Sequence, residues 1–212
     1  MAVWVLTGFM GCGKSSIGRA AQRLAEESAS GVIPVFAKKR LSQKSSGPLR
    51  FIDLDEEIVR RCGRSIPEIF SAKGEEAFRA IERDTLTKLL AEANSPRGND
   101  PLPQLLLALG GGTLMSEECR ELVKSNAKCI YLRARVETLA ENLRADDVAG
   151  RPMLAGVNPD APADAPDSLE SRIAAMMAVR GPIYEKAADI ILDIDGLTYE
   201  DAALQILNSF SR

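Results

Sequence analysis

Short apolar runs alternate along this chain with longer segments in which apolar side chains recur every three or four residues. The first pattern is typical of buried strands, and the second is typical of amphipathic helices. The apolar runs predict strands at residues 2–6, 50–54, 104–109, 128–132 and 189–193. The helical periodicity predicts helices at residues 15–27, 55–61, 66–71, 75–93, 116–125, 136–144, 169–180 and 199–209.

The alternation of strands and helices predicts an α/β fold, in which helices cover both faces of a parallel sheet. Right-handed crossovers between parallel strands bring the carboxyl ends of the strands to one edge of the sheet, where ligands of such sheets bind. We therefore expect functional residues in the segments that follow the predicted strands.

Three segments interrupt this pattern, at residues 28–48, 94–103 and 146–167. The first is rich in serine, glycine and lysine, and the third has no clear periodicity. Loops of this length in a compact domain are usually functional lids or insertions. Because 212 residues are enough for one well-buried core, we expect a single domain over residues 1–212, with an insertion at 28–48 and a lid at 146–167.

Composition and charge exclude several classes of protein. With 45% hydrophobic and 27% charged residues, the chain resembles neither a disordered nor a membrane protein. A net charge of −3 offers no general attraction for nucleic acid. Residues 28–48 carry Lys38, Lys39, Arg40 and Lys44, but no aromatic residue lies between them, so we interpret this segment as a solvated insertion.

The cysteines do not form a recognisable metal or disulfide framework. Cys12, Cys62, Cys119 and Cys129 have no CxxC spacing, and the chain has no histidine, so the sequence does not support a zinc site. Isolated thiols fit a reducing compartment. The apolar run at residues 2–6 is too short for a signal peptide. We therefore expect structural cysteines in a cytoplasmic protein.

The stretch GFMGCGKSS, residues 8–16, follows the first predicted strand and matches the phosphate-loop pattern G-x-x-x-x-G-K-[ST]. Its glycines let backbone N–H groups point into one concavity, and the dipole of the next helix attracts an anion. The residues that we assign to the nucleotide here are Gly11, Cys12, Gly13, Lys14, Ser15 and Ser16. Its position between a strand and a helix disfavours the alternative, a glycine-rich turn that binds nothing.

Further motifs separate the classes of protein that use nucleoside triphosphates. A switch GTPase needs an NKxD segment, which is absent, and we interpret DIDG at 193–196 as a chance match. A motor ATPase usually has a carboxylate after a further apolar strand, but QLLLALG continues into GGGT.

Asp53 and Asp55 differ by two residues and point the same way on an extended segment. One can hold Mg²⁺ while the other accepts a proton from a hydroxyl; the alternative is an acidic helix start.

Together, GFMGCGKSS, DLDEEI, GRSIPEIFSAKGEEAFRAIE, GGGT, RPML and RGPIYEKAADI resemble the shikimate kinase family. The resemblance implies a P-loop NTPase fold of three α/β/α layers, similar to nucleoside-monophosphate kinases, with a five-stranded parallel sheet in the order 2-3-1-4-5 and a mobile lid. It implies a monomer that transfers the γ-phosphate of ATP to the 3-hydroxyl of shikimate, with Mg²⁺ as cofactor, in aromatic amino acid biosynthesis.

The same resemblance implies roles for residues at the acceptor. Asp53 would serve the magnesium site with Ser15, Asp55 would be the base at the accepting hydroxyl, and Arg79 and Arg180 would hold the substrate carboxylate. A guanidinium suits that role because it can donate two parallel hydrogen bonds to a carboxylate. The alternative for Arg79 is an ion pair within its own helix. The further residues implied at the substrate are Gly110, Gly111, Gly112, Phe70 and Phe78.

On the nucleotide side, the resemblance implies that Arg151 of RPML reaches the phosphates when the lid closes, and so acts in catalysis with Lys14 and Asp55. It places Arg144 near the adenine. The insertion at 28–48 and the proline-rich lid depart from the family's pattern. Two alternatives stay open: another small-molecule kinase, such as a gluconate kinase, and a non-catalytic nucleotide-binding relative.

Overall fold

The structure, a computed structural model, describes residues 3–30, 49–94, 104–145, 165 and 168–210. In these ranges the strands are β1 (Val3–Thr7), β2 (Leu49–Asp53), β3 (Gln104–Ala108), β4 (Lys128–Arg133) and β5 (Ile190–Asp193). The helices are α1 (Lys14–Ala29), α2 (Leu54–Cys62), α3 (Ile66–Asn94), α4 (Glu117–Asn126), α5 (Val136–Ala145), α6 (Leu169–Ala187) and α7 (Tyr199–Ser209). A 3₁₀ turn follows β3 at Thr113–Met115.

The strands form one parallel sheet in the order β2-β3-β1-β4-β5. Strand β1 is central, and its Val5 pairs with Leu107 of β3 and with Cys129 of β4. The predicted α/β class, the five strands and their order are thereby confirmed. Because the strands are parallel, the loops that follow β1, β2 and β3 meet at one edge of the sheet.

Alternating side chains of β1 explain why helices cover both faces of the sheet. Trp4 and Leu6 belong to a core shared with α1, α5 and α7. Val3 and Val5 belong to a second core shared with α2, α3 and α4. All of β1 is buried, as expected for the central strand of a parallel sheet. The result is a three-layer arrangement of helices, sheet and helices.

Helices α3 and α6 differ in extent from the predicted segments. The segments predicted at 66–71 and 75–93 join in α3, although Gly74, with φ 78° and ψ 174°, interrupts the helical geometry between them. Helix α6 continues to Ala187, past the predicted end at residue 180, despite Pro182. An internal proline costs about 3 kcal/mol, and burial of the Tyr184 ring returns stabilisation of about that size.

Much of the predicted insertion and lid lies outside the described residues. This applies to residues 31–48, with their basic side chains, and to Arg151 in the lid segment. Residues 28 and 29, which we expected to begin the insertion, instead continue α1. None of the helices in the described ranges is long and apolar enough to cross a membrane.

Candidate active site

The phosphate-loop motif connects β1 to α1 at the carboxyl edge of the sheet. Gly13 caps α1 with a φ of 79°, a conformation that favours glycine, and its carbonyl accepts a hydrogen bond of 2.8 Å from the N–H of Ile17. Asn142 of α5 donates a hydrogen bond of 2.8 Å to the carbonyl of Gly11. The loop is therefore held both by the helix that it begins and by a neighbouring helix.

Lys14 bends back over the loop that precedes it. Its Nζ donates hydrogen bonds of 2.8 Å to the carbonyl of Gly8 and 2.9 Å to that of Phe9. The first turn of α1 contains no acidic residue, so nothing in that turn offsets the positive end of the helix dipole. A glycine-rich loop, a helix N-terminus and a fixed ammonium group together can bind phosphate oxygens.

Asp53, at the end of β2, connects the phosphate loop to α2. Its Oδ2 accepts a hydrogen bond of 2.5 Å from the hydroxyl of Ser15. Its Oδ1 caps α2 by accepting from the N–H groups of Asp55 at 2.9 Å and Glu56 at 3.2 Å. An adjacent hydroxyl and carboxylate are oxygen ligands that fit Mg²⁺, which commonly binds one or two carboxylates together with phosphates and water.

A metal ion at this position would need oxygen atoms of a bound phosphate as additional ligands. Across the ranges that the structure describes, no group of three or more His, Cys, Asp or Glu side chains is arranged to hold a metal ion. The Ser15–Asp53 pair by itself supplies too few ligands for the octahedral shell of Mg²⁺. Phosphate oxygens and water would therefore complete that shell.

Asp55 lies half-buried in the first turn of α2, so the expected extended segment at residues 53–55 is wrong and the acidic helix start, considered as the alternative, is present. Burial, together with the charges of Asp53 and Glu82, raises the pKa of Asp55 to about 6, while Lys14 and Arg79 act in the opposite direction. These five charged groups therefore lie close enough to influence one another. A partly buried carboxylate beside a phosphate site is suited to accept a proton.

Arg79 of α3 is held by carboxylates on its own helix. Its Nη1 donates to Glu82 Oε2 at 2.8 Å, and its Nη2 donates to Glu75 Oε1 at 3.1 Å. Glu82 is 1% exposed, and its Oε1 accepts a hydrogen bond of 2.6 Å from the buried hydroxyl of Thr113. The ion pairs considered as the alternative role for Arg79 are thus present, and they hold its guanidinium in place.

The triple glycine after β3 packs directly against these side chains. A Cβ atom at Gly110 would lie 2.8 Å from Glu82 Oε1 and 2.9 Å from Asp55 Oδ1. A Cβ atom at Gly112 would lie 2.5 Å from Arg79 Nη2. Any larger residue at either position would displace one of these groups. Two helices therefore bring a carboxylate and a guanidinium to the same short loop.

Arg180 reaches this loop from α6. It is 7% exposed, its guanidinium carbon lies 5.7 Å from the centroid of the Phe9 ring, and its Nη1 would be 3.9 Å from a Cβ atom at Gly111. One turn further along α6, Tyr184 donates a hydrogen bond to the carbonyl of Gly111. Arg79 and Arg180 therefore both approach the triple glycine. Their binding of a substrate carboxylate, which the resemblance implies, stays a prediction.

Phe70 and Phe78 form an aromatic pair beside Arg79. Their ring centroids are 4.6 Å apart, and the Arg79 guanidinium carbon is 5.3 Å from the centroid of the Phe78 ring. Phe78 is 4% exposed and belongs to the core, whereas Phe70 is only partly buried. The pair is thus placed where it can form an apolar wall of an acceptor pocket, and Phe78 also has a packing role.

The described residues include only part of the nucleotide side of the site. Arg144, near the end of α5, makes an ion pair of 2.7 Å with Glu170 of α6, and Arg151 lies outside the described residues. A hollow of about 350 Å³, lined by residues of α1, α5 and α7, has Tyr199 in its wall. The Tyr199 ring also abuts the phosphate loop, because a Cβ atom at Gly13 would lie 2.9 Å from Tyr199 Cε1. This hollow can receive the rest of a bound nucleotide.

Some sequence features lie apart from this chemistry. Asp195 of the DIDG segment accepts a hydrogen bond of 2.6 Å from Thr138 and so ties the loop after β5 to α5. Three of the cysteines are buried, as expected for structural residues. Cys62 is exposed, so a role in core packing does not explain it. A larger hollow of about 930 Å³ lies near Val3 and Asp189, at the opposite edge of the sheet from the predicted site residues.

Three residues that hold this site together had no predicted role from the sequence. Thr113 and Tyr184 lie within the quoted motifs GGGT and RGPIYEKAADI, and motif membership was the signal available for them. Asn142 lies in a helix with no motif, so no signal in the sequence pointed to it. For all three, the polar partner lies on another segment of the chain.

Comparison with known proteins gives consistent matches over most of the chain. A sequence profile of the family described as Shikimate kinase matches residues 39–211. The chain is 36% identical over 208 residues to a shikimate kinase of Thermus thermophilus, which covers 98% of this chain and 89% of that relative. It is 35% identical over 190 residues to a shikimate kinase of Chlorobaculum tepidum, covering 90% of this chain and 80% of the relative.

Solved structures agree with the sequence matches. Shikimate kinase from Acinetobacter baumannii in complex with shikimate has a TM-score of 0.73 and 26% identity, covering 100% of this chain and 93% of that chain. Shikimate kinase from Bacteroides thetaiotaomicron, at 24% identity and a TM-score of 0.71, supports the same fold.

Proposed function

This chain belongs to the shikimate kinase family of ATP-dependent phosphotransferases, and we propose that it transfers the γ-phosphate of ATP to the 3-hydroxyl of shikimate. The site proposed for this reaction, the carboxyl-edge site, comprises the phosphate loop, Asp53, Asp55, Arg79, Arg180 and the triple glycine. The observation that carries the proposal is the approach of Asp55 and Arg79 to the same glycine loop. One small acceptor at that loop could touch both a base and a carboxylate-binding group.

On the donor side, we assign the ATP phosphates to the loop at residues 11–16. Lys14 would exchange its hydrogen bonds to the carbonyls of Gly8 and Phe9 for the terminal phosphates. Ser15 and Asp53 would hold Mg²⁺, whose charge offsets that of the phosphates. Phosphoryl transfer depends mainly on such positioning and charge stabilisation.

On the acceptor side, Arg79 and Arg180 would bind the carboxylate of shikimate, and Phe70 and Phe78 would form an apolar wall. Asp55 accepts the proton of the 3-hydroxyl, and the oxygen of that hydroxyl forms a bond to the γ-phosphorus. The bond between that phosphorus and the β–γ bridging oxygen breaks, so that shikimate 3-phosphate and ADP are the products. The Glu82 and Thr113 contacts keep Arg79 in place during these steps.

We assign residues 146–167 to a lid that closes over the nucleotide, with Arg151 reaching the transferred phosphoryl group and Arg144 near the adenine. Closure would exclude water and suppress ATP hydrolysis. We further propose a single kinase domain over residues 1–212, with a solvated insertion at 28–48, acting as a cytoplasmic monomer that binds neither nucleic acid nor membranes. Light scattering at several protein concentrations tests whether the protein is a monomer.

The proposed reaction is tested by ADP release from Mg·ATP with shikimate, gluconate, a nucleoside monophosphate or no acceptor. We expect release that depends on shikimate and is strongly reduced in Lys14→Ala. Release with another acceptor alone would retain phosphoryl transfer and overturn the acceptor assignment. Measurable ATP binding without release for any acceptor would favour a non-catalytic nucleotide-binding protein.

The metal assignment has a separate test. Removing Mg²⁺ with a chelator should abolish ADP release, and Ser15→Ala should raise the Mg²⁺ concentration needed for half-maximal rate, because it removes one proposed ligand. Ser28→Ala, in the last turn of the same helix and outside the phosphate loop, is the control. An unchanged Mg²⁺ requirement in Ser15→Ala would remove Ser15 from the metal site.

A further inference from the structure

The carbonyl groups of the triple glycine are satisfied in two different ways. Those of Gly110 and Gly112 accept backbone hydrogen bonds of 3.1 and 3.0 Å from the 3₁₀ turn that follows them. The turn does not reach the carbonyl of Gly111, which instead accepts a hydrogen bond from the hydroxyl of Tyr184, 73 residues further along the chain. The middle peptide of the loop is therefore held by a side chain of α6.

This contact determines the direction of a backbone donor. The described residues contain no cis peptide bond, and in a trans peptide the C=O and N–H point in opposite directions. Holding the carbonyl of Gly111 therefore also orients the N–H of Gly112. In the described ranges no protein group accepts a hydrogen bond from that N–H. Gly112 itself packs against the guanidinium of Arg79. A Cβ atom added at Gly112 would lie 2.5 Å from Arg79 Nη2.

We propose that Tyr184 is a positioning residue for the acceptor: its hydroxyl orients the Gly111–Gly112 peptide so that the N–H of Gly112 faces the acceptor that Arg79 binds. The inference rests on the proposed function, because it deepens the assignment of the carboxyl-edge site. Tyr184 acts through the backbone of Gly111 and through Arg180, whose guanidinium faces the same hydroxyl. Without its hydroxyl, the peptide plane of a glycine pair has few restraints and can rotate.

The same hydroxyl links the loop to the helix that carries Arg180. Residues four apart lie on one face of a helix, so Arg180 and Tyr184 meet the loop together. The hydrogen bond from Tyr184 therefore fixes two things. It fixes the orientation of the Gly112 N–H, and it fixes the position of the turn of α6 that carries the Arg180 guanidinium. Removing it should weaken acceptor binding more than nucleotide binding.

The packing role of Tyr184 can be separated from the role of its hydroxyl. Its ring is fully buried and lies 5.3 Å, centroid to centroid, from the ring of Tyr131 on β4. Phenylalanine keeps that ring contact and removes only the hydroxyl, so Tyr184→Phe is the informative variant. Tyr131→Phe is the matched control, because it removes a hydroxyl from the neighbouring buried ring but leaves the bond to Gly111 in place.

The experiment measures KM for shikimate, KM for ATP, kcat and the unfolding midpoint for the wild type and both variants. For Tyr184→Phe we expect KM for shikimate to rise about five- to tenfold, as one hydrogen bond can account for, with KM for ATP within about twofold of the wild type. Hydrogen exchange of the backbone at residues 109–116, measured without substrate, should become faster. Tyr131→Phe should change neither KM value.

Several outcomes would overturn the inference. One is an unchanged KM for shikimate in Tyr184→Phe with unchanged exchange of the loop, and another is an equal rise of both KM values together with a lower unfolding midpoint. If Tyr184→Phe does not fold, the hydroxyl is needed for stability and its assignment as a positioning residue is wrong. A wild type without shikimate-dependent ADP release would instead contradict the proposed function, independently of how loop exchange responds to the variant.

Discussion

Thr113 and Glu82 are joined by a buried hydrogen bond of 2.6 Å, in which the hydroxyl of Thr113 donates to Oε1 of a carboxylate that is 1% exposed. The other oxygen of Glu82 accepts from Arg79 at 2.8 Å. A buried carboxylate needs such partners, because an unpaired charge in the interior is strongly destabilising. The triple-glycine segment and helix α3 are therefore linked through one carboxylate.

Thr113→Val tests this link. Valine keeps the shape of the side chain but leaves Oε1 of Glu82 without a donor, so we expect the free energy of unfolding to fall by about 1–3 kcal/mol. Urea denaturation measures the change. Thr113→Ser should retain most of the stability, and Thr85→Val, at another buried threonine of α3, should cost less. Equal stability of Thr113→Val and wild type would show that the hydrogen bond contributes nothing.

Gly112→Ala should weaken acceptor binding without unfolding the protein. Gly112 has a φ of −102°, which alanine readily adopts, so the backbone is not strained. The three heavy atoms nearest to the new Cβ would all belong to the guanidinium of Arg79, with Nη2 at 2.5 Å, so the substitution would push that group out of its ion pairs. We expect KM for shikimate to rise about tenfold or more, as lost charged hydrogen bonds would predict.

The control for this change is Gly181→Ala, where a Cβ atom would meet only Met177 at an ordinary 3.9 Å. Steady-state kinetics and the unfolding midpoint should both be close to wild type for that control. A Gly112→Ala protein with normal KM for shikimate would show that Arg79 is not needed at the position seen here.

Arg79→Lys separates the charge of Arg79 from its shape. Lysine keeps the positive charge but cannot donate to Glu82, Glu75 and an acceptor carboxylate from one planar group. We expect KM for shikimate to rise about 10- to 100-fold, with KM for ATP little changed. A normal KM for shikimate would mean that charge alone suffices and would weaken the assignment of a two-bond carboxylate contact.

Asp55→Asn tests the assigned base. The amide has almost the same size but cannot accept the proton of the hydroxyl, so kcat should fall by about 10²- to 10⁴-fold. ATP affinity, measured by equilibrium titration, should stay close to that of the wild type, because Lys14 and Ser15 are untouched. Near-native turnover would remove Asp55 from the role of base.

Glu57 provides a pH-dependent contribution to stability. Hydrogen bonds from Arg60 at 2.7 Å and Arg61 at 2.6 Å lower the pKa of Glu57 from 4.5 to about 2. Because the folded-state pKa is depressed, this stabilisation is complete above pH 4.5, declines between pH 4.5 and 2, and is absent below. Solvent screening at the exposed Arg60 keeps this contribution small.

Denaturation of wild type and Glu57→Gln at pH 7, 4 and 3 measures this contribution. We expect the variant to be less stable at pH 7 and the difference to shrink toward pH 3. Glu76→Gln, at an exposed glutamate of α3, should show no such trend. A difference between Glu57→Gln and wild type that stays constant with pH would show that the ion pairs do not cause it.

Sequence patterns were sufficient for the strands and helices along the chain, whereas the strand order of the sheet was implied by the resemblance. The apolar runs placed β1 within one residue of its observed bounds, because a strand buried on both faces has no polar positions to obscure it. The predicted end of α6 at residue 180 was wrong, because Gly181 and Pro182 are local signals to stop a helix. The burial of Tyr184, a long-range effect, offsets them.

The amino-acid sequence by itself determined the sheet, the phosphate loop and the residue types at the carboxyl-edge site, because each depends on local periodicity or on a short motif. Only the tertiary structure decided which groups hold these residues in place. The contacts of Thr113 with Glu82 and of Tyr184 with Gly111 span 31 and 73 residues. A hydroxyl finds such a partner only after the helices pack on the sheet, so no local pattern can encode the pairing.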